Sequence, residues 1–195
     1  MADLRLKFDE DCLNYDRWRP RYVEQLYEDI AVFSKLDEHS RVVEVGIGTG
    51  QATAFFLESG CELTAIELGP NLAEFVRTKY RDYPNLKVAN LAFEEFPYEP
   101  GMVDLIYSAT AFHWIPENVG YPQVLDMLKS GGTIALFWNK PSMAREDDPL
   151  HIALQRIYQE YRDSGKRPVE YEQRRYERIQ KAIRDYGFVD LDFRL

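Results

Sequence analysis

The chain has 195 residues, about the size of one domain, and its 33 acidic against 24 basic residues give a net charge of −9. That charge argues against nonspecific nucleic-acid binding, and no segment approaches the roughly 20 apolar residues of a membrane helix. The first residues lack the basic and apolar run of a secretion signal, and only two cysteines occur, so we expect a cytoplasmic protein without disulfides.

Apolar residues in the first 139 positions alternate between the spacing of helices and that of buried strands. Residues 1–14 are polar and unpatterned, which predicts an arm outside the core. The elements predicted after the arm are a helix from Pro20, a strand at 42–45, a helix at 51–58, a strand at 61–68, a helix at 72–80, a weak strand at 86–88, a strand at 102–109, a helix at 124–128 and a strand at 133–138. This alternation implies right-handed crossovers, and it predicts an α/β fold with a doubly wound, mostly parallel sheet.

The last quarter of the chain has a different pattern. Residues 140–187 carry no strong strand signal and are predicted to form two mostly helical pieces, with a break at 164–168. Residues 188–195 alternate apolar and polar side chains, which is typical of a half-exposed strand. We therefore expect a helical insertion over 140–187 and a final strand over 188–195.

Three glycines follow the first predicted strand, at positions 46, 48 and 50. Glycines in this turn allow tight backbone geometry, and they let a ligand approach the main chain where open parallel sheets bind ligands. Gln51 stands where a dinucleotide fingerprint has its third glycine. Glu44, just before the loop, is a poor neighbour for a pyrophosphate and a better one for a cation. A plain tight turn is the alternative interpretation of the glycines.

Glu67 ends the second predicted strand, next to the glycine loop in an open sheet of this kind. A carboxylate at this place can accept hydrogen bonds from both ribose hydroxyls of an adenosine. The alternative for Glu44 and Glu67 alike is a solvated strand end. The combination of strand, glycine turn, helix, strand and terminal acid favours an adenosine-containing ligand.

In this order the motifs resemble class I S-adenosylmethionine-dependent methyltransferases, and most of all the small-molecule type 11 branch, which includes the trans-aconitate methyltransferases. The similar segments are residues 15–20, the glycine loop at 44–50, Glu67, residues 90–96, residues 103–114 with the ending Ala111-Phe112-His113-Trp114, and residues 131–136. The match runs over most of residues 14–139. It implies a Rossmann-like methyltransferase fold with S-adenosyl-L-methionine as cofactor and no metal.

The resemblance also implies a set of binding residues. The expected cofactor-binding residues are Tyr15, Arg19, Glu44, Gly46, Gly48, Gly50, Glu67, Leu68, Ala92, Phe93 and Ser108. Within that set, the glycine loop and Glu44 would hold the methionine part, and Glu67 would hold the ribose. Residues 68, 92 and 93 would enclose the adenine. Tyr15 and Arg19 would close the entrance, with Arg19 paired with the cofactor carboxylate.

His113 and Trp114 follow the fourth predicted strand, at the rim where a methyl acceptor would bind. They are the expected substrate-binding pair, and His113 is the candidate catalytic residue. A histidine can remove a proton from a hydroxyl or nitrogen near neutral pH. The alternative is a packed histidine that shapes the pocket, because a carboxylate acceptor needs no base.

The C-terminus departs from the family pattern. Family members continue through a final antiparallel hairpin, of which residues 188–195 supply one strand. It stays open whether the chain is a fragment that lacks the last strand or completes its sheet edge in another way. We expect a single domain over 1–195, with a cofactor-binding core at 14–139, the helical insertion on the substrate side at 140–187, and the final strand.

Three functions are compatible with these patterns. The first is a methyltransferase that transfers a methyl group to a small-molecule acceptor by in-line displacement. The second is an oxidoreductase with an NAD-type cofactor, which shares the layout of strand, glycines, helix and acid but is disfavoured by Gln51 and Glu44. The third is a cofactor-binding module without catalytic activity, which the short C-terminus favours. Neither the acceptor nor the oligomeric state follows from the sequence.

Overall fold

The computed structural model describes residues 4–139, 149–161 and 169–194. Its contacts divide the chain into two units, Met1–Asn139 and Lys140–Leu195. The first unit contains the sheet, and the second contains two helices. Within the described ranges, every helix is too short or too polar to span a bilayer.

Five strands form the sheet, in the spatial order β3-β2-β1-β4-β5. Their bounds are β1 Arg41–Val45, β2 Glu62–Glu67, β3 Leu86–Asn90, β4 Val103–Ala109 and β5 Leu128–Phe137. All four pairings are parallel, which confirms the predicted doubly wound α/β fold. The strand order reverses between β1 and β4, and ligands of such folds bind at this reversal, outside the carboxyl ends of the strands.

Helices cover the sheet of the first unit. Their bounds are α1 Cys12–Trp18, α2 Glu24–Ser34, α3 Thr53–Glu58, α4 Pro70–Lys79 and α5 Glu117–Met127, with 3-10 helices at Leu4–Asp9, Phe93–Glu95 and Phe112–Trp114. Between α3 and the sheet, the ring of Phe56 stacks on that of Tyr107 at 4.1 Å, and both side chains are fully buried. Each large side chain buried in this way contributes roughly 1.5–3 kcal/mol, so the core gives the loops above the strands a stable base.

Several element boundaries differ from the prediction. Helix α2 begins at Glu24 rather than at Pro20, because Val23 still has an extended backbone. Helix α5 begins at Glu117 rather than at 124, and β5 begins at Leu128, directly after it. Gly120 and Pro122 lie inside α5, and both residues usually indicate a break in a helix. Tertiary packing overrides that preference here, because Tyr121 and Gln123 are buried on the helix.

The predicted arm over residues 1–14 is also different. Residues Leu4–Asp9 form a 3-10 helix, and α1 begins at Cys12. Buried Asp9 accepts a hydrogen bond at 2.7 Å from the backbone N–H of Leu72, in the first turn of α4. A polar contact thus holds the segment against α4. The spacing of apolar residues does not indicate such a contact, so the sequence predicts an arm instead.

The second unit contains α6 Pro149–Tyr161 and α7 Val169–Asp185. Both lie within the predicted helical insertion, while the predicted break at 164–168 lies outside the described residues. The prediction of a strand at 188–195 is wrong for its described part, because residues 188–194 form no strand. An alternating pattern becomes a strand only with a hydrogen-bonded neighbour, and these residues have no strand pairing within the described ranges. The single domain over 1–195 stays a prediction.

Candidate functional site

A cleft of about 920 Å³, counting its open mouth, lies at the carboxyl ends of β1, β2 and β4. The predicted site residues that line it are Tyr15, Arg19, Gly46, Gly48, Glu67, Leu68, Ala92, Phe93, His113 and Trp114. Glu44, Gly50 and Ser108 do not line this cleft. The structure therefore brings most of the predicted residues together and assigns the other three to different surroundings.

The glycine loop touches the loop that follows β4. Gly46 has a φ of +72°, and a Cβ atom there would lie 2.4 Å from the Cβ atom of Ala111. Only glycine fits both that backbone conformation and that contact. Ser108 stabilises the same junction, since its buried hydroxyl donates to the carbonyl oxygen of Val45 at 2.8 Å. Ser108 thus supports the loop instead of facing a ligand.

The far end of the glycine loop is fixed by two tyrosines. Tyr80 donates a hydrogen bond to the carbonyl oxygen of Gly50 at 2.7 Å, and Tyr27 donates one to the carbonyl oxygen of Gln51 at 3.2 Å. A Cβ atom at Gly50 would lie 2.6 Å from the ring of Tyr80. Gly50 is therefore a packing position beside a buried aromatic ring.

Glu67 connects the end of β2 to the glycine loop. Its two carboxylate oxygens accept hydrogen bonds from the backbone N–H groups of Gly48 and Gly69, each at 2.8 Å. The residue is 7% exposed and lines the cleft. Burial raises the pKa of the Glu67 carboxyl group, although the two backbone hydrogen bonds oppose that shift. A carboxylate has about four acceptor positions, so two stay available for a ligand after these bonds.

Glu44 is buried away from the cleft. It is 1% exposed, and its Oε2 accepts hydrogen bonds from Thr53 at 2.7 Å and from Tyr107 at 2.8 Å. Its Oε1 is buried with no hydrogen-bond partner in the described structure. Burial raises the pKa of this carboxyl group to about 7, against the opposing effect of those two hydrogen bonds. The sequence predicts that the Glu44 carboxylate faces the ligand. This prediction is wrong, because Glu44 is buried in the core and does not line the cleft.

Leu68, Ala92 and Phe93 form an apolar wall of the cleft beyond Glu67. Gln123 of α5 fixes this wall, since its buried amide donates to the carbonyl oxygen of Phe93 at 2.7 Å. Hydrophobic spacing does not indicate this role of Gln123, because its partner lies 30 positions away in the sequence. The signal that could have indicated it is an amide side chain between residues of α5 that are apolar and buried, such as Tyr121 and Val124.

Tyr15 and Arg19 cover the glycine loop from α1. The ring of Tyr15 lies 3.5 Å from the position of a Cβ atom at Gly48, and the Arg19 guanidinium lies 5.2 Å from the centre of that ring. Burial raises the pKa of Tyr15, so the phenol stays neutral. Among the described residues, Arg19 has no carboxylate within ion-pair distance, which leaves its charge available to an anionic group in the cleft.

The 3-10 helix at Leu4–Asp9 also borders the cleft, next to Tyr15, whereas the sequence predicts an arm outside the core for residues 1–14. Arg5 pairs with Glu94 at 2.9 Å, and the ring of Phe8 lies edge-on to that of Trp114 at 6.0 Å. All four side chains line the cleft. The first residues of the chain therefore form part of its roof.

His113 lies on the cleft next to Trp114, and its Nδ1 accepts a hydrogen bond from the indole N–H of Trp138 at 3.3 Å. A neutral imidazole that accepts at Nδ1 carries its proton on Nε2. In this tautomer Nε2 donates hydrogen bonds and cannot accept a proton. The contact therefore favours the interpretation of His113 as a residue that shapes the pocket over that of a general base.

The sequence over residues 43–136 matches the family described as a methyltransferase domain. A methyltransferase-like protein of Schizosaccharomyces pombe, itself uncharacterised, is 29% identical over 133 residues, covering 68% of this chain and 51% of that protein. A trans-aconitate 2-methyltransferase of Enterobacter sp. is 26% identical over 148 residues, covering 74% of this chain and 54% of the relative. The chain thus spans about half the length of the curated relatives it matches.

The fold is also that of a solved methyltransferase. Phosphoethanolamine N-methyltransferase 2 of Haemonchus contortus, in complex with phosphomonomethylethanolamine and S-adenosylhomocysteine, superposes with a TM-score of 0.66 at 16% identity, over 97% of this chain and 45% of that one. At this identity the likeness concerns the fold alone. Together with the family match, it confirms the predicted resemblance. Residues 43–136 thus match a methyltransferase-domain family, and the chain is similar in sequence motifs and in fold to S-adenosylmethionine-dependent methyltransferases.

Proposed function

We propose that this protein transfers the methyl group of S-adenosylmethionine to a small-molecule acceptor. The observation that carries the proposal is the position of Glu67, whose carboxylate reaches the cleft while it holds the N–H of Gly48 in the glycine loop. Two acceptor positions of this carboxylate suit the two hydroxyls of a ribose.

The other cleft residues fit the remaining parts of the cofactor. The apolar wall of Leu68, Ala92 and Phe93 suits the adenine ring. Arg19 suits the carboxylate of the methionine part, because it has no carboxylate partner among the described residues and faces the glycine loop. Glu44, Gly50 and Ser108 act indirectly in this account, by supporting the loop through the contacts described above.

When bound, S-adenosylmethionine supplies a methyl group on a positively charged sulfur, which an acceptor displaces in line. Little covalent chemistry is then required of the protein, and alignment of the two reactants and exclusion of water supply much of the rate. The roof of Phe8, Tyr15 and Trp114 suits both tasks, since these aromatic side chains line the cleft. His113, with its proton on Nε2, would orient an acceptor by donating a hydrogen bond.

The acceptor is proposed to be a small molecule because the chain carries a net charge of −9, which disfavours nucleic acid. Since one relative is a trans-aconitate 2-methyltransferase, small carboxylic acids are the first acceptors to test. A carboxylate acceptor needs no general base, which agrees with the tautomer of His113.

An NAD-type oxidoreductase is less well supported. Gln51 still occupies the place of the third glycine of the dinucleotide fingerprint. Glu44 does not repel a pyrophosphate in the cleft, because it is buried and its pKa is raised to about 7. Gln51 and the family match therefore carry the preference for a methyltransferase.

Methyl transfer from labelled S-adenosylmethionine tests the proposal. We expect label in one class of a panel of small carboxylic acids, phenols and amines. We also expect a Kd for S-adenosylhomocysteine at least about tenfold higher in Glu67→Ala, because a hydrogen bond to a charged group contributes roughly 1.5–3 kcal/mol. Binding of S-adenosylhomocysteine without transfer to any acceptor would instead support a module that lacks catalytic activity.

A further inference from the structure

One lysine joins the glycine loop to the helix that covers it. The ammonium group of Lys79, the last residue of α4, donates a hydrogen bond to Asp16 Oδ1 at 2.7 Å and another to the carbonyl oxygen of Thr49 at 2.8 Å. Thr49 belongs to the glycine loop, and Asp16 belongs to α1. The side chains of Lys79 and Asp16 are only 24% and 25% exposed, so solvent weakens this ion pair less than it would a fully exposed one.

Helix α1 buries little apolar surface that could fix its position, and its main aromatic contacts are those of Tyr15, whose ring lies edge-on to that of Phe8 at 5.9 Å and next to Gly48. It is seven residues long, and none of them is buried. Its large apolar side chains Leu13 and Trp18 are 75% and 73% exposed. An isolated helix of this length is unstable in water, and most helices are held by a buried apolar face. Because α1 lacks such a face, its polar contacts contribute to its position beside the ring contact of Tyr15 with Phe8.

The position of α1 in turn determines the position of two cleft residues. Tyr15 lies next to Asp16 in the helix, and Arg19 follows the last helical residue, with its backbone N–H bonded to the carbonyl oxygen of Tyr15. A shift of α1 therefore moves the Arg19 guanidinium relative to the glycine loop. The ammonium of Lys79 reaches both parts at once, so it fixes their separation.

The alternative is that Lys79 only complements the dipole at the end of α4, as cations at helix C-termini often do. Its two hydrogen bonds go to α1 and to the glycine loop. Its ammonium also lies 5.8 Å and 5.5 Å from the ring centres of Phe75 and Tyr80, which restrict its path. A lysine that only complements the helix dipole needs no partners in other segments. Lys79 instead bonds to two segments outside α4, so the dipole alone does not explain its position.

We propose that Lys79 is a positioning residue that, through Asp16, sets Arg19 at the distance from the glycine loop needed to bind the amino-acid end of the cofactor. The inference rests on the proposed function. It assigns Lys79 an effect on one end of the cofactor only, because Glu67 and the apolar wall hold the adenosine end independently of α1.

Two ligands separate these ends. S-adenosylhomocysteine carries the amino-acid group, whereas 5′-methylthioadenosine has the adenosine and the sulfur but lacks that group. By titration calorimetry we expect Lys79→Met and Asp16→Ala each to raise the Kd for S-adenosylhomocysteine about tenfold, the size of one charge-assisted hydrogen bond. The Kd for 5′-methylthioadenosine should change less than about twofold, and Lys79→Arg should restore most of the binding of S-adenosylhomocysteine.

Lys129→Met is the matched control, because it breaks a similar lysine–aspartate pair with Asp104 at 2.9 Å, on residues that do not line the cleft. It should leave both affinities unchanged. Equal losses for both ligands in Lys79→Met, or no loss for S-adenosylhomocysteine, would overturn the positioning role. Since 5′-methylthioadenosine binding also reports folding, a misfolded variant would be recognised, and Asp16→Ala would then decide the question. Failure of the unmodified protein to bind S-adenosylhomocysteine would overturn the proposed function itself.

Discussion

Glu44 carries a carboxyl group into the core directly behind the glycine loop. Two hydroxyl groups bond to one of its oxygens, and the other oxygen is buried with no partner in the described structure. An ionised carboxylate there would lose its hydration with incomplete compensation, whereas the neutral acid is tolerated. The sequence shows an acid before the glycines but not its burial, because the side-chain direction depends on the pairing of β1 with both neighbours.

This burial predicts a pH dependence of stability. The pKa of Glu44 is about 7 in the folded protein against 4.5 for an ordinary glutamate, so the folded state keeps a proton that the unfolded chain releases. The stabilisation is fully present below pH 4.5 and is lost as the pH rises through about 7. Glu44→Gln mimics the neutral acid and removes this dependence. Between pH 5 and pH 8, the free energy of unfolding of the unmodified protein should fall by about 2–3 kcal/mol relative to the variant, as measured by urea titration.

Comparison with the variant cancels other titrating groups, including Glu67, whose pKa is raised in the same direction. A difference between the two proteins that is constant from pH 5 to pH 8 would show that Glu44 is ionised in the core throughout.

At the scale of elements, the strands were the most predictable part of the molecule. β1, β2 and β4 lie within one residue of their predicted bounds because each is a β-branched or apolar run buried on both faces. The 3-10 helix at Leu4–Asp9 was missed because single polar contacts fix it, and their partners are 63 and 89 positions away. For the same reason the sequence predicts Glu67 and the glycine loop as parts of the candidate site but neither Gln123 nor Lys79.

The contact of Asp9 with α4 can be tested separately. Asp9 accepts a hydrogen bond from the N–H of Leu72 and so satisfies a donor in the first turn of a helix that lacks a side-chain cap of its own. Asp9→Ala should lower the free energy of unfolding by about 0.5–2 kcal/mol, as measured by urea titration with circular dichroism. Asp11→Ala is the control, because Asp11 caps only α1, which buries no residue, and its effect should be smaller. Equal effects of the two substitutions would contradict this role.

At the scale of the first unit, the site has a rigid base and a roof made from the start of the chain. The carboxyl ends of β1, β2 and β4 form the base, and residues from the first 19 positions form much of the roof. The start of the chain contacts the loops after β3 and β4 where Arg5 pairs with Glu94 and Phe8 contacts Trp114. The buried sheet holds the base in place, whereas α1 in the roof buries none of its residues.

A titration of the full chain with S-adenosylhomocysteine and, separately, with NAD tests the central claim most directly. We predict saturable, one-to-one heat of binding for S-adenosylhomocysteine and none for NAD at the same concentrations. Binding of NAD without binding of S-adenosylhomocysteine would contradict the assignment of the cleft, and with it the roles given to Glu67 and Arg19.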